Sequence, residues 1–152
     1  MKLAMKLLVA VIVGVIVFGT AYAQFAKPEQ AIKYRKSVMT LIVAHFGRMG
    51  AVIKGKAPYE KAEFARNALA VNTLSSLDWE AFQMPGSDKG DTTLSSAAIN
   101  QRSKFNEAVK AFQNDTANLA EAAKGGNFDT IKSQFGQVAK NCGSCHKAFR
   151  TK

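Results

Sequence analysis

The chain has 152 residues, 21 basic and 11 acidic side chains, a formal net charge of +10, and only two cysteines and two histidines. That length supports one ordinary domain with one core and excludes two. A basic balance can attract nucleic acid, anionic lipid or an acidic protein, but the lysines are spread along every segment, which favours a diffuse field over a dedicated patch.

Met1 to Lys6 carries two lysines and no acid, Leu7 to Gly19 is almost wholly apolar, and Ala21-Tyr22-Ala23 offers small residues for cleavage. This is the pattern of a secretory signal peptide, residues 1–23. Its apolar run of about 13 residues is short of the roughly 20 that span a bilayer. The expected product is one periplasmic domain, residues 24–152, with no membrane anchor, no nucleic-acid partner and a charge of about +8 once Lys2 and Lys6 are gone.

Pro28 and Glu29 suit the first turn of a helix. Ile32, Met39, Phe46 and Ile53 then recur every seven residues, interleaved with Arg35, Ile42 and Met49, and this predicts an amphipathic helix ending at Gly55. Arg35 is the exception on that seam. It reads either as a solvated flanking residue, its stem snorkelling from the core, or as a sign of something anionic at that end of the bundle.

A second helix is predicted from Pro58 and Glu60 to about Leu77, with a buried face of Ala62, Ala65, Leu69 and Asn72 and with Phe64, Ala68 and Val71 alongside. Its small residues leave room for close helix approach or for a bulky group. The stretch DWEAFQMPGSDKGD, Asp78 to Asp91, carries the turn signals Pro85, Gly86 and Gly90, and its Trp79 and Phe82 are expected to cap one end of the core.

A third helix is predicted from about Ser95 to Lys124 on a seam of Ala98, Phe105, Val109, Phe112, Thr116, Leu119 and Ala123, with Gly125-Gly126 as its stop. Asn127 or Asp129 can N-cap a fourth helix, whose seam is Ile131, Phe135, Val138, Cys142, Cys145 and Phe149. No segment alternates as a strand does, so the predicted fold is all-α, an antiparallel up-down-up-down four-helix bundle.

Both cysteines fall in CGSCH, Cys142 to His146. Structural zinc usually takes four ligands, and this chain can add only His45 to Cys142, Cys145 and His146. A thioredoxin-like pair sits where a strand enters a helix, and a disulfide between cysteines three apart on a continuous helix closes a small, strained loop. Haem attachment explains more. The thiols stand one helical turn apart, where each can add to one porphyrin vinyl, and His146 is set to reach the iron. Attachment outside the cytoplasm also agrees with export. A haem would give Arg35 a propionate to pair with, would fill the space left by the second helix, and would be roofed by Trp79 and Phe82.

With these features the chain resembles the cytochrome c′ family, the class II c-type cytochromes, whose haem motif lies near the C-terminus of a four-helix bundle. QFAKPEQAIKYRKS, HFGRM and KGKAPY are especially similar to members from denitrifying bacteria. The resemblance implies one haem c per chain, held by two thioether bonds at Cys142 and Cys145 with His146 as the axial iron ligand. It also implies Arg150 beside the proximal face, Arg35, Lys36 and Asp91 at the haem edges, Met39, Ile42, Trp79 and Phe82 in the distal pocket, and a homodimer through the first two helices.

Two functions follow from it. One is a pentacoordinate haem that binds nitric oxide and carbon monoxide over dioxygen, because Met39, Ile42 and Phe82 offer no hydrogen-bond donor; Trp79 alone carries one, its indole N–H. The other is a low-spin electron carrier with Met39 as sixth ligand, meeting an acidic redox protein partner through the basic surface. An enzyme is not expected. Once His146 is committed, only His45 remains for acid–base work, and it reads as a surface or helix-contact residue.

Overall fold

The computed structural model describes residues 25–77 and 79–151; the signal peptide read at residues 1–23 lies outside them. Its elements are α1 (Pro28–Ile53), α2 (Lys61–Ser75), a 3-10 turn (Trp79–Phe82), a short α3 (Ala97–Asn100), α4 (Arg102–Gly125) and α5 (Phe128–Phe149). The long helices α1, α2, α4 and α5 form an all-α four-helix bundle in which α1 packs on α2, α2 on α4, and α4 on α5.

Local chemistry sets the boundaries. Pro28 opens α1 with Glu29 in its first turn. Gly126 takes φ +84°, and its N–H donates to the Ala122 carbonyl, which ends α4 as a glycine C-cap does. The Asn127 side chain accepts the Thr130 N–H at 2.9 Å and starts α5.

The seams of α1, α4 and α5 lie inside as predicted. Ile42 and Met49 from α1 meet Phe112 and Leu119 from α4 and Ile131 and Val138 from α5 in one core. Among the described residues α1 is the helix long and apolar enough to cross a membrane, by length and composition alone; here Ile32, Ile42 and Met49 are buried in the bundle.

Two expectations are corrected. The buried face of α2 is Phe64, Asn67, Ala68, Val71 and Ser75, whereas Ala62 is exposed and Leu69 is 51% exposed. Two buried polar residues mark the true face, and each is satisfied. Asn67 Oδ1 meets His45 Nδ1 at 2.9 Å and Asn67 Nδ2 donates to the Glu63 carbonyl; Ser75 Oγ meets Thr116 Oγ1 at 2.8 Å. A pattern that counts only apolar residues misplaces such a face.

The third predicted helix is broken at Gln101, φ −110° and ψ 50°. The Gln83 side-chain amide donates to the Ala98 carbonyl at 2.7 Å, an acceptor that an unbroken helix would use for itself. The Ser95 N–H meanwhile donates to the Phe149 carbonyl at 2.9 Å, so α3 is aimed by its tethers and not by the axis of α4.

Candidate cofactor site

Between α1 and α5 the bundle opens into a cavity of about 590 Å³, well within the range of small-molecule and cofactor pockets. All the residues predicted for the site line it. From α1 come Arg35, Lys36, Met39 and Ile42; from the 3-10 turn, Trp79 and Phe82; from the loop, Asp91; from the end of the chain, Cys142, Cys145, His146 and Arg150. Phe105, Ala108, Val109 and Phe112 of α4 form a further wall. Ala108 has no signal in the sequence, whereas Phe105, Val109 and Phe112 belong to the predicted core seam. Their spacing marks an inward face, and only the shape of the fold shows that part of that face meets a cavity.

No α2 residue lines the cavity. The small residues of α2 therefore serve close packing on α1 and α4, and the expectation that they make room for a planar group is corrected. A larger open groove of about 690 Å³ runs along the outer side of α1 past Lys33 and Lys89, but neither cysteine nor His146 reaches it.

Cys142 and Cys145 are half-buried and unpaired by disulfide. Burial pushes both thiols above their ordinary pKa, with Cys142 adding to the effect on Cys145, so in the protein fold they are neutral thiols on the cavity wall. Burial, then the neighbouring Arg150 guanidinium, holds His146 below the usual histidine range. A neutral imidazole is the form that ligates iron.

Arg35 is neither solvated nor snorkelling: it is 4% exposed. Its Nη1 donates to the Ala81 carbonyl at 3.0 Å, and Nη2 donates to the Ser87 carbonyl and to Thr92 Oγ1. The guanidinium also lies over the Phe82 ring, 5.5 Å from its centroid. Desolvation lowers its pKa, with Asp88 opposing. Arg35 thus ties the segment that carries Trp79 and Phe82 down onto α1. One residue on, Lys36 Nζ meets Asp91 Oδ2 at 2.7 Å at the exposed rim.

Trp79 and Phe82 stack with centroids 5.1 Å apart, and the Trp79 edge packs on Phe105 and Phe112. The Trp79 indole N–H donates to the Ser75 carbonyl at 2.8 Å. Two further polar side chains of the wall are engaged, Asn141 Nδ2 donating to Asp115 Oδ2 and Arg150 Nε to Thr93 Oγ1. His45 lies away from the cavity and bonds Asn67 across the α1–α2 contact. Among the described residues no three His, Cys, Asp or Glu side chains gather as a metal-ion site.

Two thiols one helical turn apart, an adjacent imidazole and an aromatic roof fit a covalently held porphyrin, and on a four-helix bundle they define a c-type haem protein. The chain belongs to the cytochrome c′ family, whose model, described as Cytochrome C', matches residues 30–150, and haem c is its cofactor. It is 43% identical over 129 residues to the cytochrome c′ of Alcaligenes xylosoxydans xylosoxydans, covering 85% of this chain and 99% of that one. Among solved structures, cytochrome c prime from Shewanella frigidimarina superposes with a TM-score of 0.82 at 38% identity, over 85% of this chain and all of that one. A mutant of the Alcaligenes xylosoxidans protein, solved as its nitric oxide complex, matches with a TM-score of 0.78 at 41% identity, over 85% and 99% of the two chains; a further variant of it is carbon monoxide-bound.

Proposed function

We propose that this chain is a periplasmic haem protein that binds nitric oxide and carbon monoxide and can pass an electron, and is not an enzyme. When bound, haem supplies an iron that takes up a diatomic gas and changes charge by one electron. Cys142 and Cys145 would anchor it, His146 would hold the iron from one side, and Arg150 would lie beside that proximal face. Met39, Ile42, Trp79 and Phe82 would exclude water from the other side, with Arg35, Lys36 and Asp91 at the haem edge.

The observation that carries the reading is the Trp79–Ser75 hydrogen bond. Dioxygen gathers negative charge on binding and is stabilised by a hydrogen-bond donor beside it, whereas nitric oxide and carbon monoxide depend on one much less. With the indole N–H spent on a backbone carbonyl, the distal wall has no donor to offer from Met39, Ile42, Phe82 or Trp79. The nitric oxide and carbon monoxide complexes of the Alcaligenes xylosoxidans variants agree with this. The test is to expose reduced protein to each gas: uptake of nitric oxide and carbon monoxide without dioxygen is expected, and reversible dioxygen uptake without nitric oxide uptake would end the proposal.

Met39 as sixth ligand is the competing arrangement, because its thioether lines the same cavity as His146. The plug role is preferred, since methionine on a helical seam ordinarily fills space. The exposed Leu41 and Val43 of α1 and Leu69 of α2, each at least half exposed, support a homodimer through those two helices, and the basic surface suits an acidic redox protein partner.

A further inference from the structure

We propose that Thr93 is a positioning residue that fixes Arg150 on the cavity wall it shares with His146. Thr92 and Thr93 are neighbours in sequence, and each holds one of the arginines lining the cavity. Thr92 Oγ1 accepts from Arg35 Nη2 and from the Leu94 N–H; Thr93 Oγ1 accepts from Arg150 Nε at 3.2 Å. The backbone sets the register of the second contact. The Leu94–Arg150 pair is an antiparallel bridge, and the Thr93 carbonyl accepts the Thr151 N–H at 2.8 Å.

Arg150 leaves α5 with extended φ −113° and ψ 143°, and an arginine on an exposed chain end has many rotamers to lose. A bond at Nε fixes the plane of the guanidinium. It leaves both Nη nitrogens without a partner among the described residues, on a cavity wall that also carries His146, Arg35, Lys36 and Asp91. A cation held there favours the iron state with one more electron.

This inference rests on the reading that Arg150 lies beside the proximal face, and the experiment separates the two. The midpoint potential of the haem-loaded protein is measured by spectroelectrochemistry for the parent, Thr93→Val, Thr93→Ser, Arg150→Gln and the Thr93→Val/Arg150→Gln double variant, with thermal melts to confirm folding. Arg150→Gln is expected to lower the potential, Thr93→Val to lower it in the same direction by less, and Thr93→Ser to restore the parent value. Thr93→Val should add nothing in the Arg150→Gln background, because coupled residues are non-additive. A normal potential in Thr93→Val alongside a shifted Arg150→Gln overturns the role of Thr93 alone, as do additive shifts in the double variant. An unshifted Arg150→Gln overturns both that role and the placement of Arg150.

Discussion

Phe46 of α1 and Phe135 of α5 stack face to face, with ring centroids 4.1 Å apart and planes within 4° of parallel. This contact closes α1 onto α5 at the end away from the cysteines, and the cavity opens between the same helices at the other end. Gly50 belongs to the closure, because a Cβ there would stand 3.4 Å from the Phe135 ring. Phe135→Ala is expected to cost about 3 kcal/mol, the low end for a buried phenylalanine since this one is half-buried. Denaturant unfolding measures the loss, and gas binding at the far end should be unchanged.

Arg35→Lys keeps a charge but cannot span the acceptors on Ala81, Ser87 and Thr92. Hydrogen bonds from a charged group contribute about 1.5–3 kcal/mol each, so losing one or two should lower stability by about 2–4 kcal/mol. The loosened segment carries Trp79 and Phe82, so amide exchange should rise first across residues 79–94.

Trp79→Phe removes the indole donor while keeping an aromatic ring. The Ser75 carbonyl retains the Gln113 amide as partner, so the stability cost should be about 1 kcal/mol. Discrimination against dioxygen should be unaltered, because the lost N–H points to a carbonyl. Gas equilibria of the variant that show a changed dioxygen response would mean that the indole serves the bound gas.

Lys36 holds the Asp91 carboxyl below its usual range, first through the hydrogen bond and then through charge. A carboxylate with a depressed folded pKa contributes stability above its unfolded value of about 3.9, and the contribution is lost as pH falls through the folded value. Asp91→Asn should therefore be slightly less stable than the parent at neutral pH and equal to it in strong acid. Both partners are exposed, so high salt should also erase the difference.

The sequence disclosed what recurs along it. The seams of α1, α4 and α5 and the turn from Gly126 into Asn127 follow from period and capping chemistry, and CGSCH on a helix behind an export signal points to haem more than to zinc or a redox pair. What it hid is set by contacts distant in the chain. Ala62, Ala65, Ala68 and Ala70 give α2 little preference between faces, and the choice falls to Asn67 and Ser75, whose partners sit on α1 and α4. The break at Gln101 depends on Gln83 reaching Ala98, and Arg35 stood out on its seam while its acceptors lay 46 to 57 residues away.

In the proposed function Met39 fills space and leaves the sixth position of the haem free. The absorption spectrum of the haem-loaded protein, oxidised and then reduced with dithionite, tests it most directly, with Met39→Leu beside it. A broad high-spin pattern is expected in both states, with the same pattern for Met39→Leu. A sharp, split low-spin spectrum on reduction that collapses in Met39→Leu would contradict it, and would make the protein an electron carrier ligated by Met39.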